Sequence, residues 1–333
     1  MKRRAVFMII GVAVALGTAL FIWPRAVKEN PGEVQPINFG TVPAAATTLI
    51  YIAEDQGFFA ANRLRVNVKD YSSGMATTEA LLKGELDIAW VAEFPFVQRA
   101  IGREEISIIA VVGRFNDQIL FGRKDRGIHT VADLKGKRIG LPRNTIADFY
   151  LGRFLELNGM NVRALALVDV HPAKSMEAVT GGEVDGVVVW QPYSSRLRAQ
   201  LTGGATAFPL QSGQPGYGTL ACRNDWIEIH RGAMKRFLAS LARAEEYILR
   251  NPAGAKAVLR KRLNYDDVFT ETIWTENQFS LFLDQSLITA MEDEARWMIK
   301  NGLTSEKAVP DFLKYIHEDG LKAVKSHGVS IIR

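Results

Sequence analysis

Cysteine occurs once in the 333 residues, at Cys222, which excludes an internal disulfide and any multi-cysteine metal site. As a lone thiol it reads as a small buried hydrophobe. Histidine is scarce too. His129, His171, His230, His317 and His327 stand apart, none at ligand spacing with another, so no metal is expected. The chain also lacks a Gly-x-Ser-x-Gly elbow, a His-Glu-x-x-His helix, a Walker loop and a Rossmann fingerprint. Its glycines from Gly213 to Gly218 have the wrong spacing for a dinucleotide. These absences weigh against enzymes of those classes, and no cofactor is expected.

A broad basic surface is missing as well. The net charge of +5 is concentrated at the start, where Lys2, Arg3, Arg4, Arg25 and Lys28 face only Glu29, a local balance of +4 that leaves +1 for the body. A nearly neutral body has no electrostatic footprint for phosphate backbones, and no nucleic-acid partner is expected.

What the N-terminus does contain is a basic Met1 to Arg4, then an uninterrupted apolar run from Ala5 to Trp23, closed by Pro24. This is the pattern of an export signal or a membrane anchor over residues 1–30. The run is just long enough to cross a hydrocarbon core of ~30 Å at ~1.5 Å per residue, and cleavage or retention both stay open. No cysteine near its end permits a lipoprotein anchor. The preceding basic residues stay inside by the positive-inside tendency, which places the body in the periplasm or another extracytoplasmic space, held to the inner membrane by residues 5–23 where the segment is retained.

The body is 47% hydrophobic across the whole chain and too long for one ordinary core, so two domains are expected. Asn30 to Pro36 reads as a linker. A strand follows at Ile37 to Gly40, then a helix from Thr47 or Thr48 to about Ala60, a strand Leu64 to Tyr71, a helix Ala76 to Lys83, a strand Asp87 to Val91, a helix Phe94 to Ile101 and a strand Ile106 to Val112. A similar series restarts after Thr130. Its elements are strand Arg138 to Leu141, helix Ile146 to Asn158, strand Leu165 to Val170, helix Ser175 to Thr180 and strand Gly186 to Val189. Alternation of this kind predicts an α/β fold with mostly parallel sheets.

The restart is a repeat. Glu79-Ala80, Gly84-Glu85 and Asp87 recur as Glu177-Ala178, Gly182-Glu183 and Asp185 at a constant offset of 98. A period of this size is a duplicated lobe, since solenoid repeats run ~20 to 50 residues. The two Gly-Glu-x-Asp motifs read as structural, with Gly ending a helix and Asp bonding backbone donors at a strand entrance. From His230 onward the pattern turns helical, and these helices are expected to brace one lobe and the hinge.

Gly57-Phe58-Phe59, Glu79 to Asp87 and Asp133 to Gly140, with both motif copies ending in Trp90 to Pro95 and Trp190 to Pro192, resemble the solute-binding proteins of ABC importers for nitrate, sulfonate and taurine. The resemblance spans Ile37 to Asn251. It implies a periplasmic-binding-protein-like fold, with two lobes joined by two crossovers near Phe115 to Gly122 and Tyr217 to Cys222. Residues 37–118 with 218–333 would then form one lobe and its bracing helices, and 119–217 the other, after a linker at 31–36. It further implies a small solute, an ABC permease and its ATPase as partners, a monomer, and no catalytic residue.

Ligands of open α/β sheets bind at the carboxyl ends of strands. That rule selects Thr47, Thr48, Ser73, Gly74, Trp90 and Glu93 in the first lobe, Asn116 and Asp117 near the first crossover, and Asn144, Thr145, Asp148, Trp190, Gln191 and Tyr193 in the second. Hydroxyls and free N–H groups at helix starts suit anions, although Thr47, Ser73 and their like also serve as plain caps. Trp90, Trp190 and Tyr193 can sandwich a flat or alkyl body, or pack a core. Glu93, Asp117 and Asp148 disfavour a naked anion if they line the cleft, which would point to taurine or a nitrogenous vitamin precursor. As helix dipole partners Glu93 and Asp148 would face solvent instead, and Arg114 is a candidate neutraliser.

Two competing readings stay on the table. One is a membrane-tethered ligand sensor. The other is an enzyme similar to thiamine-pyrimidine synthases or menaquinone-pathway enzymes, which share the fold. The former synthases carry a cysteine-rich run that this chain lacks, and the export segment argues against both.

Overall fold

The computed structural model describes residues 33–211 and 213–333. The export or anchor segment lies outside the described residues, as do residues 30–32 at the start of the linker. No helix among the described residues is long and apolar enough to cross a membrane.

The first lobe begins with β1 (Gln35–Thr41), α1 (Thr48–Asp55), α2 (Phe58–Ala61), β2 (Leu64–Asp70), α3 (Gly74–Leu82), β3 (Ile88–Ala92), α4 (Glu93–Ile101) and β4 (Ile106–Phe115). The second comprises β5 (Ile119–Arg123), β6 (Arg138–Leu141), α5 (Ile146–Leu157), β7 (Ala166–Asp169), α6 (Ser175–Thr180), β8 (Gly186–Val189), α7 (Tyr193–Gln200) and β9 (Ala205–Pro209). The chain then returns through β10 (Gly216–Arg223), followed by α8 (Asn224–Ile229), α9 (Arg231–Arg250), α10 (Pro252–Leu263), α11 (Asp267–Glu276), β11 (Asn277–Gln278) and α12 (Gln285–Lys300).

The first sheet has the order β11-β4-β10-β3-β1-β2 and the second β7-β6-β8-β5-β9. β1 runs parallel to β2 and β3, and β6 parallel to β7 and β8. The strands that enter after a crossover point the other way. β10 is antiparallel to β3 and β4, and β5 to β8 and β9. Each sheet is therefore parallel on one side (β2-β1-β3 and β7-β6-β8) and antiparallel on the other, because a chain crossing between lobes enters the next sheet from its opposite end. The first crossover is residues 116–118, inside the expected span. The second is residues 210–215, and Tyr217 to Cys222, expected there, lie within β10.

Two local expectations change. The helix from Thr47 or Thr48 to Ala60 is broken at Gly57, whose φ of +66° only glycine adopts at no steric cost. Neither threonine caps it. The Thr47 hydroxyl donates to the Ala44 carbonyl (2.7 Å) and that of Thr48 to Ala45 (2.6 Å).

The duplicated motif plays one role twice. Gly84 (φ +74°) and Gly182 (φ +80°) end their helices. Asp87 Oδ2 then accepts the Asn38 N–H of β1 (2.7 Å), and Asp185 Oδ2 accepts the Arg138 N–H of β6 (2.9 Å). Cys222 is fully buried, and burial pushes its thiol well up.

The C-terminal helices close the structure. Phe237 of α9 stacks on Phe59 with centroids 5.1 Å apart, covering the first lobe. α12 reaches both lobes. Its Trp297 packs edge-on against Phe94 of α4 (6.1 Å) and Phe149 of α5 (5.7 Å), and its Lys300 pairs with Glu156 of α5 (3.0 Å).

Candidate functional site

The carboxyl ends of β1, β3 and β4 and the starts of α3 and α5 converge on a cavity lined by residues of both lobes. The first lobe supplies Val42, Ala44, Ala46, Ser73, Gly74, Trp90, Ala92, Pro95 and Phe115. The first crossover adds Asp117 and Gln118, and the second lobe Thr145, Ile146 and Trp190.

Trp90 is held by its surroundings. Its carbonyl accepts the Thr77 hydroxyl (2.7 Å), its ring lies 6.5 Å from that of Phe115, and β10 passes so near that a Cβ on Gly218 would sit 2.7 Å from Nε1. Trp90 Nε1 has no hydrogen-bond partner among the described residues. Trp190 meets the cavity from the other lobe and packs edge-on against Tyr193 (6.5 Å, 83°).

Among the described residues, Asp117 is the one ionisable group on the inner wall. Its Oδ1 accepts Gln118 Nε2 (3.0 Å), and its Oδ2 accepts the Gln191 N–H at 3.4 Å. No cation among the described residues pairs with it, and burial pushes its carboxyl up to about 6. Ser73 and Thr145 cap α3 and α5, each accepting a backbone N–H at 3.3 Å. The Thr145 hydroxyl proton is spent on the Pro142 carbonyl (2.8 Å), whereas that of Ser73 has no acceptor among the described residues.

The structure thus brings Ser73, Gly74, Trp90, Asp117, Thr145 and Trp190 to one cavity. Gln191 and Tyr193 line an adjoining outer vestibule, together with Tyr71, Arg196, Arg262 and Tyr265, and share its wall with Trp190. Thr47 and Thr48 lie off the cavity, fully buried. Asn116 is exposed, with its N–H donated to Glu276 O (3.2 Å). Asn144 is exposed at φ +59°, and its carbonyl accepts Gln98 Nε2 at 3.4 Å.

Two of the three acidic candidates also lie off it. Glu93 is fully buried behind the wall, where its Oε2 accepts the Tyr217 N–H (2.9 Å) and burial pushes it up to about 8. Asp148 serves its helix start: it accepts the Asn144 N–H and pairs with Arg143 (3.2 Å), while burial pushes it up to about 6. Arg114 neutralises none of the three. It pairs with Asp284 and lies 4.4 Å over the Phe282 ring.

Sequence reasoning missed Gln118, which is buried and lines the cavity with Oε1 unpartnered. The available signal was a polar side chain inside a short crossover between two apolar strands. Among the described residues, no three His, Cys, Asp or Glu gather to hold a metal.

Two α/β lobes with strand ends facing a shared cavity define a periplasmic-binding-protein-like fold. The chain belongs to the NMT1/THI5-like family, whose model matches residues 45–255. It is 25% identical over 279 residues, 82% of each chain, to a Brucella abortus protein that bears the name "Putative binding protein". The alkanesulfonate-binding protein SsuA of Xanthomonas axonopodis pv. citri, solved with MOPS bound, shares the fold at a TM-score of 0.74 and 20% identity, covering 86% of this chain and 99% of that one. The desulfurization enzyme DSZB shares it at 0.66 and 16%, covering 88% and 99%. The fold thus serves binding proteins and at least one enzyme.

Proposed function

We propose that this protein captures a small organic solute in its interlobe cavity outside the cytoplasm and hands it to the permease of an ABC importer, whose ATPase partner supplies the energy. The observation that carries this reading is the meeting of Trp90 and Trp190, one from each lobe, across a cavity whose only ionisable wall group is Asp117. Contacts to both lobes make ligand affinity higher in the closed form, so ligand shifts the lobes toward closure, which a permease can recognise.

The wall chemistry selects the solute. A carboxylate ~4 Å from a naked anion costs roughly 4 kcal/mol at an effective dielectric of 20, and no Lys or Arg lines the inner wall to offset it. Flat aromatic walls suit an alkyl or ring body. The ligand is therefore an organic solute with an amine or amidine-like edge toward Asp117, as in taurine or an aminopyrimidine.

Thermal unfolding of the protein against nitrate, bicarbonate, alkylsulfonates, taurine and aminopyrimidines tests this. Ligand at ~100 times its Kd adds roughly 2.7 kcal/mol. Saturable shifts with amine-bearing solutes support the reading. A shift with nitrate or bicarbonate alone refutes the assignment of ligand class. Delivery is read separately, as solute-dependent stimulation of the permease-bound ATPase.

A further inference from the structure

Resting on the cleft-binding reading above, we propose that the outer vestibule is a second subsite that takes an anionic group, a carboxylate, sulfonate or phosphate, carried by the same solute.

The vestibule adjoins the inner cavity, and Val42 and Trp190 form part of both walls. Its chemistry is opposite in sign. Arg196 of α7 enters from the second lobe and Arg262 of α10 from the first. Arg262 is already engaged: it bonds both oxygens of Asp70 (3.0 and 3.2 Å) and lies 5.0 Å over the Tyr51 ring. Arg196 is exposed, and its guanidinium has no ion pair or hydrogen bond among the described residues. Asp70 is the one carboxylate on this wall, and it is spent on Arg262.

Two further donors wait there. The hydroxyl oxygens of Tyr71 and Tyr265, both on the vestibule wall, are buried and have no hydrogen-bond partner among the described residues. Each has a proton to give, and a buried hydroxyl left unpaired is costly. A planar guanidinium beside phenolic donors matches an oxyanion, and Arg binds such groups bidentately. The site is thereby polar along its length, with Asp117 at the inner end, an aromatic wall at Trp190, and Arg196 at the outer end. A solute with an amine at one end and an anion at the other satisfies both. A simple amine or a bare anion satisfies one.

The test uses calorimetric titration of the protein with two matched pairs, benzylamine against 4-(aminomethyl)benzenesulfonate and hexylamine against 6-aminohexanoate. The expected result is that the anion-bearing member of at least one pair binds about tenfold or more tightly than its plain amine, as one charge-assisted bond allows. Arg196→Ala should erase that advantage, and Arg196→Lys should keep part of it. Because Arg196 is exposed, these variants fold, which their melting curves verify. Equal binding within both pairs, or an advantage that survives Arg196→Ala, overturns the subsite and leaves the cleft reading standing. Failure of all four probes to bind the wild-type protein overturns the cleft reading and the subsite with it.

Discussion

The carboxylate of Glu93 accepts the backbone N–H of Tyr217 at 2.9 Å, across 124 residues of sequence. This bond ties the first turn of α4 to the strand by which the chain returns to the first lobe. Replacing Glu93 by Ala leaves that N–H buried without an acceptor, at a cost of about 1 to 3 kcal/mol. Glu93→Gln retains a carbonyl acceptor and should cost less. Urea midpoints of the two variants check this, and equal losses would refute the role given to the bond.

Stability should fall as pH rises from about 4.5 towards 8. Burial raises Glu93 to about 8, and burial with the nearby Glu93 charge raises Glu294 well above the usual range. Both face each other beside the neutral Tyr150. An acid whose folded pKa is raised stabilises the fold fully below its unfolded value of 4.5 and loses that contribution as pH climbs through the folded one. Asp117 and Asp148, raised to about 6, act in the same direction. Each proton held only by the folded state gives a slope of about 1.4 kcal/mol per pH unit. Unfolding free energies across that window should show the decline, and the double variant Glu93→Gln, Glu294→Gln should flatten it.

Trp190 and Trp90 should separate binding from folding. Trp190 is half-buried at the cavity mouth, so Trp190→Ala is expected to weaken solute binding by about 2 kcal/mol with a smaller loss of stability. Trp90 is 6% exposed, and its removal should cost the fold about 3 to 5 kcal/mol. Measuring affinity and melting temperature on both decides; a Trp190 variant that loses stability alone would assign that residue to the core.

Affinity for an amine-bearing solute should rise as pH passes through about 6 and level off above it, since Asp117 binds a cation as carboxylate and its carboxyl is raised to about 6. Asp117→Asn should lower the plateau and remove the pH step. A flat profile in the wild-type protein would exclude Asp117 from the contact.

Gly152 lies under the indole of Trp297, where an added Cβ would sit 2.2 Å from Cζ2. Gly152→Ala must displace a ring wedged between α4 and α5, and should cost about 1 to 3 kcal/mol. Calorimetric melting reads the loss.

How much of this was written in the sequence follows the range of the interactions. Both Gly-Glu-x-Asp copies were legible because a positive-φ glycine and a strand-entrance carboxylate act within a few residues or on the adjacent strand. The break at Gly57 was not, since the apolar spacing of α1 runs on through it into α2. Position at a helix start located Ser73, Thr145, Glu93 and Asp148 along the chain, but it does not say which way a first-turn side chain faces. Glu93 and Asp148 turn inward to satisfy backbone N–H groups, while Ser73 turns toward the cavity.

The sequence by itself determined two duplicated α/β lobes, the positions of their strand ends, and the aromatic residues at those ends, because local propensity and hydrophobic periodicity specify each. Only the tertiary structure decided that Trp90 and Trp190 share one cavity, that Asp117 alone among the carboxylates of the described residues lines its inner wall, and that Arg196 and Arg262 line the adjoining vestibule. These are contacts between lobes, set by how two sheets and the C-terminal helices pack, and no spacing along the chain encodes the distance between surfaces that meet only on folding.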